Sequence, residues 1–164
     1  MKYLKYYIST ITLFSAMYFC TRGSYYPTIY FIGFSLFIIL GDIFIAEDDK
    51  ERKYDNVFLL NLPIYINLPI LITYLMIVAF ILGDSSPNIF SNILLTYLNL
   101  DLLYARGAMT TLDSIFLVAL SGLFIGIMGT VPGHELSHRT KEKFDMSMAN
   151  WLLSLSWDCA FAIE

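Results

Sequence analysis

Apolar runs of bilayer length constrain this chain more than any other feature. A membrane-spanning helix needs about 20 mostly apolar residues. Four stretches approach that requirement, at 4–20, 25–46, 57–82 and 113–131. Hydrophobic residues make up 57% of the chain and charged residues 15%, against about 45–50% and about 25% in a soluble domain. Lipid rather than water is therefore the expected solvent. Tyr and Phe, 12 and 13 residues, suit aromatic belts at the two membrane surfaces. The expected fold is an all-α integral membrane helical bundle: one domain over residues 1–164, with four spans and the start of a fifth at 150–163.

Local punctuation refines this outline. Lys2 and Lys5 precede the apolar stretch 6–20, and Thr21-Arg22-Gly23 follows it with no small-x-small cleavage site; an uncleaved first helix is expected. Pro63 and Pro69 interrupt the third run. Proline removes a backbone donor and kinks a helix, so the true span is expected to begin near Pro69, with 57–68 along the interface beside Asn61 and Asn67. Asp84-Ser85-Ser86-Pro87-Asn88 is a turn cluster. The run 89–104, broken by Asn92, Asn99 and Asp101, reads as a surface or re-entrant helix. Cys20 and Cys159 lie in separate apolar stretches and read as small buried hydrophobes. Net charge is −4 without a basic stripe, so nucleic acid is not an expected partner.

Loop charges set the expected orientation. With four spans and an inside N-terminus, the inside segments hold Lys2, Lys5, Lys50, Arg52, Lys53, Arg139, Lys141 and Lys143, and the outside segments hold Arg22 and Arg106. This bias predicts a multi-pass membrane protein with its N-terminus and residues 134–138 on the cytoplasmic side, just past the fourth helix.

The chemistry-bearing residues are His134 and His138, the two histidines of the chain, four residues apart in His134-Glu135-Leu136-Ser137-His138. Residues i and i+4 share a helix face, so two neutral imidazoles there can hold one metal ion. Glu135 points about 100° around the helix and could orient a ligand, bind metal or serve as a catalytic base. His-Glu-x-x-His is the zinc-protease signature; non-heme iron suits the same imidazoles. The pentapeptide leaves both open, beside the plainer reading of a polar cap at a helix end.

The wider sequence narrows the choice by resemblance. Gly41-Asp42-Ile43-Phe44-Ile45-Ala46-Glu47-Asp48, then Gly133-His134-Glu135-Leu136-Ser137-His138-Arg139, Phe144-Asp145 and Phe161-Ala162-Ile163-Glu164 follow in order. Together they resemble the N-terminal part of the alkane 1-monooxygenase family, membrane-bound multi-histidine di-iron hydroxylases of the fatty acid desaturase superfamily. The resemblance implies His134 and His138 as iron ligands and Glu135 as their neighbouring polar partner. It also implies an alkyl or fatty acyl substrate, surrounding membrane lipid, a bacterial inner membrane and rubredoxin or ferredoxin as electron donor. The family's reaction uses O₂ activated at two ferrous ions to place a hydroxyl on an unactivated carbon. Two further histidine boxes belong to that pattern; the sequence stops at Glu164, so the expectation is a truncated chain, inactive alone. A fatty acid desaturase, a membrane-embedded zinc metalloprotease with Asp145, Asp158 or Glu164 as third ligand, and a non-enzymatic membrane protein are the alternatives.

Other residues have competing readings. Asp42, Glu47 and Asp48 either face the metal or form a solvated helix end near Lys50, Arg52 and Lys53. Asp158 faces either the site or the interface. Gly122 and Gly126 form a small-xxx-small face suited to helix packing. Phe34 and Phe37 either line an alkyl tunnel or pack and face lipid.

Overall fold

Every regular element is helical among the residues that the structure, a computed structural model, describes: 3–44, 57–83 and 86–157. A 3₁₀ turn at Leu4–Tyr7 leads into α1 (Ile8–Cys20); α2 is Tyr26–Phe44, α3 Val57–Leu82, α4 Ile89–Leu98 and α5 Leu102–Gly107. Then α6 (Thr111–Phe124) passes through a π-helical stretch, Ile125–Thr130, into α7 (Val131–Ser137), and α8 is Lys143–Ser154. Among the described residues, three helices are long and apolar enough to cross a membrane: Tyr26–Phe44, Phe58–Leu82 and Thr111–Ser137. The all-α, membrane-compatible expectation holds in this form, with three such helices where four spans and a fifth start were expected. The α-helical part of the first run has 13 residues and rises about 20 Å, short of a hydrocarbon core of about 30 Å. The expected helix at 150–163 begins earlier, at Lys143, and stops at Ser154; residues 158–164 lie outside the described residues.

The prolines do not split α3. It runs 26 residues through both, so 57–68 is part of the long helix rather than a separate interfacial segment. Pro63 cannot donate to the carbonyl of Leu59, four residues back. The Tyr7 hydroxyl donates to that carbonyl instead, at 3.4 Å. Asn67, buried in the same helix, accepts from the Thr10 hydroxyl at 2.6 Å and donates to Ser9 at 2.8 Å. Two polar residues of the 9–10 segment thus satisfy an amide that would be costly to bury alone.

Of the polar residues that interrupt 89–104, Asn92 lies within α4, and Asn99 and Asp101 are helix ends. Asn88 caps α4 with Ser91 in a reciprocal capping box, Asn99 closes it in the left-handed conformation, and Asp101 caps α5 by accepting from the Tyr104 amide. Local side-chain bonds of this kind satisfy the orphan amides of a helix start.

By contact density the chain forms two compact units. One comprises residues 1–14, 58–76 and 119–164; the other comprises 15–57 and 77–118. The core of the first is Leu68, Leu136, Ala149 and Leu152, packed by Ile64, Tyr65, Ile72 and Met148, with Tyr74 edge-on to Phe124 at 5.2 Å. In the second, Phe31 packs on Phe116 at 5.0 Å, Phe19 lies beside Tyr26 and Tyr30, and Ser15 and Tyr30 share a 2.7 Å hydrogen bond. Cys20 is buried there; Cys159 lies outside the described residues.

The second unit carries a buried carboxylate. Asp113 is fully buried. Its Oδ1 accepts from the Thr28 amide and hydroxyl, and its Oδ2 from the Tyr25 amide and from the Thr110 amide and hydroxyl. The Asp113 amide donates back to the Thr110 hydroxyl at 3.1 Å. Thr110-x-x-Asp113 is thus a capping box that also holds the turn at 23–25. Gly23, Ser24 and Tyr25 all have positive φ, at 64°, 44° and 65°. A side chain at Gly23 would meet the Ala108 Cβ at 2.6 Å, so glycine is required there. Ser24 and Tyr25 adopt a costly conformation that the Tyr25–Asp113 bond stabilises.

Candidate metal centre

The histidine motif lies inside a helix, not beyond its end as the run 113–131 suggested: α7 continues Thr111–Ser137 and is closed by His138 as C-cap. Pro132 dictates the backbone just before it. A proline in a helix interior loses its own amide bond and crowds the carbonyl four residues back. The chain widens into the π-helical stretch at that point, and the Val131 amide donates five residues back, to the Gly126 carbonyl. Such widened turns are frequent at functional sites.

Neighbouring helix α8 fixes α7. Leu136 is buried against Ala149 and Leu152. Gly133 makes the close approach: a Cβ there would lie 3.1 Å from Leu152 Cβ and from Leu153 Cγ. The Ser137 hydroxyl donates to the His134 carbonyl at 2.6 Å and tightens the last turn. Beyond it, Arg139 pairs with Asp145 Oδ2 at 3.1 Å, while Tyr65 donates to Asp145 Oδ1 at 2.5 Å. This clasp ties α3, the turn after α7, and α8. Among the described residues of this chain, a Cβ at Gly122 or Gly126 would meet nothing within 4 Å, so neither makes a close helix approach there.

On this platform the two imidazoles converge. Their Nε2 atoms are 3.3 Å apart, and the rings meet edge to face with centroids at 4.7 Å. Without an ion, one ring N–H donates to the other nitrogen. An ion about 2.0–2.1 Å from each nitrogen would see the two at roughly 105–110°, close to tetrahedral. His134 is partly buried and His138 exposed. The pair supplies two nitrogen donors of the kind a metal takes.

Glu135 is exposed and lines a cleft with Arg139, which neither histidine lines. Among the described residues, no group of three or more His, Cys, Asp or Glu side chains is placed to hold an ion. Both oxygens of Asp145 accept bonds from Tyr65 and Arg139; Asp158, Glu164, Glu47 and Asp48 lie outside the described residues. Asp42 is exposed on α2. Phe34 stacks on Tyr30 at 6.3 Å and Phe37 is exposed.

Sequence reasoning did not anticipate the Asp145 clasp or the Asp113 hub. The hub carried a signal in Thr110-x-x-Asp113, a capping-box pattern. The clasp carried none, because Tyr65 lies 80 residues from Asp145 and the six-residue spacing of Arg139 and Asp145 matches no local motif.

Comparison with protein-family models, curated proteins and solved structures finds no match in any of the three.

Proposed function

We propose that His134 and His138 form part of a metal site in a membrane oxygenase of the alkane hydroxylase type. The observation that carries this reading is the 3.3 Å convergence of two Nε2 atoms in the last turns of a helix long enough to cross a bilayer. Iron held there supplies O₂ activation and the oxidation of an unactivated C–H bond, with electrons from rubredoxin or ferredoxin. The chain's own residues position the ligands. Packing of Gly133 and Leu136 on α8 fixes the rotation of α7, and the Ser137 bond holds the His134 carbonyl. Glu135, turned to a neighbouring cleft, is not a ligand in this proposal. Alkyl or fatty acyl substrate reaches the site from the lipid phase; hydroxylation leads, and desaturation is the variant outcome of the same chemistry.

The topology belongs to the same proposal. Leu4–Tyr7 and α1 together rise about 28 Å, close to a bilayer core, which supports four spans. The loop charges then put the N-terminus and the histidine pair on the cytoplasmic side of a bacterial inner membrane.

A zinc metalloprotease is the second reading, favoured by the near-tetrahedral angle. Metal analysis decides. The full chain, loaded anaerobically with ferrous iron and separately with zinc, is expected to retain iron, to lose it on acidification as the imidazoles take up protons, and to lose it in the His134→Ala/His138→Ala double variant. Retention of zinc alone, one per chain, supports the protease. Metal content that the double variant leaves unchanged overturns both.

A further inference from the structure

We infer that the cleft beside α7 binds the head group of an ethanolamine phospholipid. The cleft has a volume of about 310 Å³ and is bounded by α3 residues 60–67, the segment 127–139, and residues 6 and 9. Those α3 residues occupy the first turns of Phe58–Leu82, and 127–139 covers the last turns of Thr111–Ser137 and the two residues beyond. A cleft built from the ends of two such helices opens where a bilayer presents head groups, not acyl chains.

Its chemistry is both polar and apolar. Ile64 and Met128 provide apolar wall, and Asn61 and Asn67, both buried, provide amides. Glu135 and Arg139 line it together. Glu135 lies in the last turn of α7 and Arg139 in the turn just beyond it. They present one negative and one positive charge, complementary to a ligand with a cation and an anion joined by a short link. An anionic head group would meet Glu135 unfavourably. The ammonium of ethanolamine can donate to Glu135, and its phosphate can accept from Arg139. The Asp145 bond at 3.1 Å steadies the guanidinium through Nη1 and leaves other N–H donors of its five for a forked contact with phosphate. A choline head group carries no N–H to donate. The histidines are not part of this cleft, so the inference stands independently of any metal.

The test places the full chain in nanodiscs of ethanolamine, choline and glycerol phospholipids in equal amounts with identical acyl chains, then measures retained lipid by native mass spectrometry. Ethanolamine lipid is expected to be retained about tenfold over each of the others, as a charge-assisted contact allows. Glu135→Gln should abolish its advantage over choline lipid. Arg139→Gln should lower retention of every phospholipid. Arg139→Lys, which keeps the charge beside Asp145, should lower it less, and covers the case in which Arg139→Gln fails to fold. Equal retention of the three lipids, or an ethanolamine preference that survives Glu135→Gln, overturns the inference. So does soluble phosphoethanolamine displacing the lipid at equal concentration, since the free head group would then be the ligand.

Discussion

In the unit of residues 15–57 and 77–118, the Asp113 carboxylate has no exposed surface and accepts five hydrogen bonds. In the unit of 1–14, 58–76 and 119–164, His134 and His138 aim Nε2 atoms at one another, and His138 is exposed. Both are polar groups in an apolar chain. The carboxylate is used up within the fold: its donors come from two segments about 85 residues apart in sequence, and its role is to hold them. The imidazoles sit on a helix whose rotation other residues fix, and their nitrogens converge where an ion can reach them. A polar group saturated by its own chain reads as structure, and a convergent donor pair on a rigid helix reads as chemistry.

Substitutions can break or sharpen that contrast. Asp113→Ala strands buried amide and hydroxyl donors and releases the positive-φ turn. It should destabilise the protein by about 3 kcal/mol or more, seen in thermal unfolding in detergent; a loss under about 1 kcal/mol would show that the hub is not structural. Gly133→Val drives a branched side chain into Leu152 and Leu153 and should cost about 1–3 kcal/mol. It should also weaken metal retention by turning α7. Tyr65→Phe removes one bond to a buried carboxylate and should cost about 1–2 kcal/mol. Gly122→Ala, with open space at its Cβ, should be neutral or stabilise by up to about 1 kcal/mol through helix propensity. The smallest effect on stability belongs to His134→Ala/His138→Ala, within about 0.5 kcal/mol, although that variant should lose all bound metal. A large unfolding shift there would move the histidines to the structural side of the comparison.

Much of the site was legible because its signal is local. Two histidines one helical turn apart share a face whatever surrounds them, and the structure shows them converging. Asn99 and Asp101 were visible as breaks in an apolar run, but their capping roles, like that of Asn88, came from the structure. The proline reading failed for a non-local reason: the hydroxyl that serves the Leu59 carbonyl comes from Tyr7, 52 residues away. The glycines differ for a like reason among the described residues of this chain. Spacing marked Gly122 and Gly126, but close approach needs a partner at that position, and α8 reaches Gly133.

Apolar run length and composition by themselves determined that the chain is helical and membrane-compatible, because unpaired backbone groups are intolerable in hydrocarbon and a helix satisfies them within one segment. Tertiary structure alone decided which polar residues are saturated. Asp113 and Asp145 each have a local donor, Thr110 and Arg139, but complete their sets through Tyr25, Thr28 and Tyr65 on distant segments, and hydrogen-bond geometry at about 3 Å between such segments is not encoded in any one stretch of sequence.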